Sequence, residues 1–228
     1  MKYTIIKKYN GWTINDDTIS YNPELRKYHY KRYKLFRKLN MGIIMDVESW
    51  YSVTPEEVIT QIIDKIMDRV DKKYPVLCGF CGVGGDVIPL LESGYKVVAI
   101  DSSYNKIKYL KVNKQIYLKQ KGFLKTIVDD YYKFIPEDKY SFGIITPPWG
   151  GINYKEEKSF NLEKINFQNL FNRTKEIVKN FVILLPRNCD KKELQDFCGE
   201  CEIEDLLFEN RVIAIGLFYG NMFLKPKI

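Results

Sequence analysis

From residue 75 onward, short apolar runs alternate with longer amphipathic stretches. Runs at 76–80, 96–100, 124–128, 141–146 and 180–185 read as strands, and 85–93, 103–120, 167–179 and 190–198 read as helices. Most of these runs are continuously apolar, which predicts strands buried on both faces of a parallel sheet covered by helices. Two last strands, 201–208 and 211–219, meet at Glu209-Asn210-Arg211. That spacing predicts a hairpin, and so an antiparallel edge strand on an otherwise parallel sheet.

The first third of the chain is patterned differently. Residues 1–22 carry only weak strand or loop signals. Asn22-Pro23-Glu24 opens a helix over about 23–39, with Leu25, Tyr28, Leu35 and Leu39 turned to the core. At Thr54-Pro55-Glu56-Glu57 a second helix begins: Thr54 is placed to cap, Pro55 to take the first helical position and Glu57 to complete a capping box. Val58, Ile62, Ile63, Ile66 and Val70 then form one apolar stripe. The whole pattern predicts an α/β fold similar to the Rossmann-like class I methyltransferases: a mostly parallel, seven-stranded sheet with an antiparallel edge strand, and a small N-terminal helical extension.

Charge and cysteine content narrow the class. The net charge of +7 favours an anionic partner without bearing on fold. Arg26 to Lys38 holds seven basic residues and no acid. Two readings stand open there: a solvated helix face, or a phosphate-facing patch with interleaved aromatics. No apolar run approaches the roughly 20 residues of a membrane span, and Met1 to Lys8 lacks the apolar centre of a signal peptide. Five cysteines make an odd number for a disulfide framework and point to a reducing compartment. Two C-x-x-C pairs, Cys78/Cys81 and Cys198/Cys201, lie over a hundred residues apart, far beyond the about 15–20 of a four-cysteine zinc site. Small buried cysteines, and no metal, are expected.

The strand at 76–80 runs into Cys81-Gly82-Val83-Gly84-Gly85-Asp86 and then a helix. Glycines there allow a sharp turn and a close backbone approach to a ligand. The next strand ends at Asp101, 19 residues after Gly82, where an acid reaches ribose hydroxyls. A dinucleotide fingerprint would need glycine at position 87, where Val87 stands. A nucleoside without a pyrophosphate is therefore preferred, and S-adenosylmethionine is such a ligand. A third strand ends near Asp129-Asp130, where an acid can bond the adenine amino group.

The fourth strand stops at Thr146-Pro147-Pro148-Trp149-Gly150-Gly151. Two prolines end the strand and stiffen the chain at its carboxyl end, which is where open α/β sheets bind ligands. An exocyclic amine is a poor nucleophile because its lone pair delocalises into the ring. An oxygen that accepts its N–H restores some of that density, and Thr146 and the carbonyl of Pro147 are placed for this. Trp149, on the same rigid turn, is placed to stack on a base.

Five stretches carry a resemblance to the trimethylguanosine synthase family: Lys27 to Phe36, Trp50-Tyr51-Ser52-Val53-Thr54-Pro55-Glu56, Phe80-Cys81-Gly82-Val83-Gly84-Gly85, Thr146 to Gly151, and Leu185-Pro186-Arg187-Asn188. They run in unbroken order over about residues 24–220. The resemblance implies methyl transfer from S-adenosylmethionine to N2 of a 7-methylguanosine RNA cap, giving 2,7-dimethyl- and, by a second transfer, 2,2,7-trimethylguanosine. It implies that Thr146, Pro147 and Trp149 form the catalytic turn. Ser52, Thr54, Phe80, Gly82, Gly84, Asp101, Asp130 and Thr146 would hold the cofactor. Lys27 and Arg187 would take cap phosphates, Phe36 would lie near the base, Asn113 would bond the guanine edge and Trp149 would stack on it. Residues 1–54 would be an extension contributing to the cap and cofactor site, and 55–228 the methyltransferase domain. Capped RNA is the implied partner of a monomer. The implied place is intracellular: nuclear by resemblance, cytoplasmic for a virus or cytoplasmic parasite.

There is one marked departure. The resembling family usually has an acid two residues before Phe80, where this chain has Cys78; Asp86 is a candidate substitute. Two rival readings remain: an adenine amino-methyltransferase, since a short Pro-Pro-aromatic turn also serves those enzymes, and a non-catalytic cap-binding module.

Overall fold

The computed structural model describes residues 26–151 and 153–223. The readings for residues 1–22, the helix start at Asn22 to Glu24 and the inward-facing Leu25 lie outside the described residues.

Seven strands form one sheet in the order β3-β2-β1-β4-β5-β7-β6. They are β1 (Val76–Gly79), β2 (Val97–Asp101), β3 (Leu124–Val128), β4 (Phe142–Ile145), β5 (Phe181–Pro186), β6 (Cys201–Phe208) and β7 (Arg211–Tyr219). The first five are parallel to one another, and β7 runs antiparallel to both β5 and β6. The reversed strand is thus one place in from the edge rather than at it. Its cause is the tight turn at Glu209-Asn210, both residues with positive φ. A turn of that hand matches strand twist and leaves room only for an adjacent antiparallel partner.

Period-two alternation sends neighbouring strand residues into different cores. Val76, Cys78, Val97, Ala99, Phe142 and Ile144 face α4 (Glu56–Ile66), α5 (Val87–Glu92) and α6 (Tyr104–Leu118). Leu77, Val98, Ile100 and Ile145 face the opposite layer, with α7 (Phe167–Ile177) and α8 (Lys191–Cys198).

The N-terminal part is more broken than its pattern predicts. The expected helix over 23–39 is, in its described portion, two short pieces, α1 (Arg26–Tyr30) and α2 (Arg32–Leu35), followed by a 3-10 turn at Leu39–Met41. A further helix, α3 (Val47–Ser52), has its first turn capped by Asp46, which accepts from Ser49 N at 2.8 Å. Helix α4 starts one residue later than predicted. Pro55 is its N-cap, in extended conformation, and Thr54 does not cap it. Glu57 does not close a capping box: its carboxylate accepts from Glu209 N in the β6–β7 turn at 3.2 Å.

A third apolar cluster joins this extension to the domain. Leu35, Phe36, Ile43, Ile44, Met45 and Trp50 pack on Val83, Ile88, Tyr109 and Tyr117. Among the described residues, no helix is long and apolar enough to cross a membrane.

Candidate functional site

The chain leaves β1 for β2 on one side and returns to β4 on the other, so the carboxyl ends of β1 and β4 flank the point where strand order reverses. Ligands of open α/β sheets bind in the crevice at that point. A cavity of about 700 Å³ opens there.

Its floor is the turn after β1. Gly82 has φ +51, and a Cβ built on it would meet nothing within 4 Å, so that backbone faces open space. Gly84 has φ +102, and a Cβ there would come within 2.5 Å of Leu110 Cδ1. It holds the turn against α6 and does not line the cavity, so its part is packing. Asp101, at the end of β2, accepts from Gly82 N and Ser103 N, each at 2.8 Å. Those bonds fix the carboxylate at the cavity wall. Phe80 lines the cavity with φ +59, a costly conformation for a bulky residue, and lies 4.9 Å from the Tyr131 ring.

The turn after β4 forms the facing wall. Thr146 N donates to Gly79 O at 3.3 Å, carrying the β1–β4 pairing one residue further. The Thr146 hydroxyl donates to Asp86 Oδ2 at 2.8 Å, which leaves its oxygen lone pairs as acceptors. Trp149 is half-buried. Its indole N–H donates to Leu184 O at 3.2 Å, and Tyr154 meets it edge to face at 5.3 Å. Anchored on β5 at one edge, the ring turns a face to the cavity.

The third wall comes from the extension. Ser52 and Thr54 line the cavity, with Lys27 and Arg187 at its mouth. Lys27 Nζ stands 5.1 Å from the Tyr28 ring, and the Arg187 guanidinium reaches Val212 O at 3.4 Å. The basic segment divides between its two readings. Lys31 and Lys34 pair with Glu209, and Arg37 pairs with Glu56 and Glu92. These cations tie the extension to the domain. Lys27 lies toward the cavity and carries the phosphate-facing reading.

Three more expected site residues lie elsewhere. Asn113 is fully buried and does not line the cavity. Its Oδ1 accepts from Ile44 N at 2.7 Å, and its Nδ2 donates to Ile44 O at 2.9 Å and Val83 O at 3.0 Å. With donors and acceptor spent, it clips the extension to the glycine turn and has nothing left for a guanine edge. Phe36 is also fully buried, edge-on to Tyr117. Asp130 stands outside the cavity, closing a local turn on Tyr132 N at 3.0 Å.

Sequence reasoning missed other contributors. Lys106, on α6, pairs with Glu48 of α3 at 2.8 Å across the cofactor side, and Tyr154 backs Trp149. Neither stood in a recognisable motif. Asp86 is 3% exposed, and burial pushes its carboxyl up to about 6, against the opposing pull of the Thr54 and Thr146 hydroxyls. Burial likewise raises the Cys78 and Cys81 thiols, so both are neutral packing groups. No cluster of three His, Cys, Asp or Glu able to hold a metal occurs among the described residues.

Comparison with known proteins places this geometry. Two solved methyltransferases share the fold: a human methyltransferase 10 domain containing protein (TM-score 0.62, 10% identity, covering 86% of this chain and 97% of that one) and the magnesium protoporphyrin IX methyltransferase of Synechocystis PCC 6803, solved with bound SAM (TM-score 0.57, 12% identity, 91% and 98%). The chain is 32% identical over 207 residues to the trimethylguanosine synthase of Schizosaccharomyces pombe, covering 86% of each. It is 28% identical over 205 residues to that of Saccharomyces cerevisiae, covering 84% of this chain and 64% of that protein. The model of the RNA cap guanine-N2 methyltransferases matches residues 74–222, spanning the whole sheet and both walls of the crevice. The chain belongs to the RNA cap guanine-N2 methyltransferase family.

Proposed function

We propose that this protein transfers a methyl group from S-adenosylmethionine to N2 of a 7-methylguanosine cap on RNA, with Thr146, Pro147 and Trp149 as the catalytic turn. Family membership carries the reaction class. One structural observation supports the assignment of residues: the glycine turn with its fixed acid and the Pro-Pro-Trp turn face each other across the crevice between β1 and β4.

The cavity residues fit the cofactor. Gly82 opens backbone to the ligand, Asp101 offers a fixed carboxylate for ribose hydroxyls, and Phe80, Ser52 and Thr54 border the remainder. When bound, S-adenosylmethionine supplies a methyl group on a positively charged sulfur. The chain's task is then to bring the amine into line with that methyl. Trp149 stacks on the base. The positive charge of 7-methylguanine adds a cation–π component to a stack worth about 1–3 kcal/mol. The Thr146 oxygen and the Pro147 carbonyl accept the N2 hydrogens and hold the lone pair toward the cofactor. Lys27 and Arg187 take the cap phosphates. The extension, its described part ending at residue 54, acts as the third wall of the site.

A methyl-transfer assay with labelled S-adenosylmethionine tests this reading. The 7-methylated cap analogue should accept label and the unmethylated cap should not, with mass spectrometry counting the methyl groups added. Equal transfer to both caps would remove the cation–π account of Trp149. Transfer to neither, with cap still bound, would leave a binding module.

A further inference from the structure

Four acids line the cavity: Asp46, Glu48, Asp86 and Asp101. Three are already engaged. Asp46 caps α3 through Ser49, Glu48 pairs with Lys106, and Asp101 accepts two backbone N–H groups through its two oxygens. Asp86 differs. Its Oδ2 accepts the Thr146 hydroxyl, while Oδ1 is buried and has no hydrogen-bond partner. The ionisable groups facing it are the thiols of Cys78, on β1, and Cys81, on the turn, both neutral. The hydroxyls of Thr54 and Thr146 complete its surroundings, and no cationic side chain among the described residues offsets it.

A buried carboxylate without a cation is costly, and such a group persists where a ligand completes it. The completing ligand must be cationic and must donate N–H. S-adenosylmethionine carries two positive centres. Its sulfonium has no hydrogen to donate, and its α-ammonium has three.

We propose that Asp86 receives the α-ammonium group of the bound cofactor through its unpartnered Oδ1. The inference rests on the cofactor reading given above and assigns the amino-acid end of that ligand. It also links the two halves of the site. The Thr146 hydroxyl lies between Asp86 and the substrate amine, so the bond that orients the ammonium also orients the oxygen meant for N2.

Calorimetric binding to S-adenosylhomocysteine and to 5′-methylthioadenosine tests it. The second compound keeps the adenosine and the sulfur but lacks the amino-acid end. In Asp86→Asn, affinity for S-adenosylhomocysteine should fall about 10- to 100-fold, the scale of a lost charge-assisted bond. Affinity for 5′-methylthioadenosine should stay within about twofold, since that ligand makes no bond there. The melting temperature of the ligand-free protein at pH 8 should rise, because the amide removes an unpaired buried charge. Equal losses for both ligands with a lowered melting temperature would assign Asp86 to the fold alone and overturn the proposal. Unchanged S-adenosylhomocysteine affinity would overturn it while leaving the cofactor reading intact. Failure of the unaltered protein to bind either ligand would overturn the cofactor reading, and this assignment with it.

Discussion

The two ends of the cavity are built by different means. The cofactor end is made largely of main chain at the ends of β1 and β2, with one carboxylate pinned by two backbone N–H groups. The cap end is made of side chains from separate places: Trp149 and Tyr154 after β4, Arg187 after β5 and Lys27 from the extension. Main chain at a strand end is fixed by the sheet, so the first end is preorganised by the fold itself. The second depends on how well the extension is fastened. Substitutions at the cofactor end should therefore act on one ligand, and substitutions at the cap end or its fastenings should separate chemistry, stability and affinity.

The largest effect is expected at Trp149. Trp149→Ala removes the stack and should lower kcat/KM for the 7-methylated cap by about 10- to 100-fold or more, with S-adenosylhomocysteine affinity nearly unchanged. Trp149→Phe keeps a ring and loses only the N–H to Leu184, so it should retain a sizeable part of the activity. Steady-state kinetics beside calorimetry separates the two. Loss of cofactor affinity in parallel with activity would mean that the ends are not independent.

At the other end, Asp101→Ala should weaken S-adenosylhomocysteine binding by about 10- to 100-fold and leave cap binding in place. It also frees Gly82 N and Ser103 N, both able to turn to water at the cavity. Unchanged cofactor affinity would take away the ribose anchor.

Asn113 tests the fastening. Its side chain makes three buried hydrogen bonds, two to Ile44 and one to Val83. Asn113→Ala leaves those main-chain groups without partners, at about 1–3 kcal/mol for each one that stays unsatisfied. The expected outcome is a lower unfolding midpoint, with any activity loss recovered as temperature falls. A rise in KM for cap at unchanged stability would return Asn113 to the guanine edge.

The same contrast explains what the sequence disclosed. Every strand was legible to within a residue or two, because runs such as Phe142 to Ile145 are apolar on both faces and bounded by turn residues. The Gly82 and Thr146 turns were legible for the same reason: main-chain sites announce themselves through glycine and proline. Asn113 was not legible, since an amide at helical spacing looks alike whether it meets a ligand or a neighbouring main chain. Thr54 misled through a capping pattern that lost to tertiary demands, Glu57 being drawn to the Glu209 turn. The helix over 23–39 broke because its basic residues are spent on separate carboxylates of the domain, Glu209 on one side and Glu56 and Glu92 on the other.

The smallest effect is expected at the mouth. Lys27 and Arg187 are solvent-exposed, and an exposed ion pair is worth up to about 1 kcal/mol. Lys27→Ala or Arg187→Ala should therefore raise KM for a triphosphate-linked cap by roughly fivefold or less, with kcat unchanged. The bare 7-methylguanosine nucleoside, lacking phosphates, should show no such change. The difference should shrink as salt is added, because exposed charges are screened over about 8 Å at physiological ionic strength. Lys31→Ala offers the contrast, since its ammonium is already paired with Glu209. It should loosen the extension, lowering thermal stability slightly, and should not discriminate triphosphate cap from nucleoside. Equal KM effects of Lys27→Ala on both substrates would reject phosphate contact and make Lys27, like Lys31, a fastening of the extension.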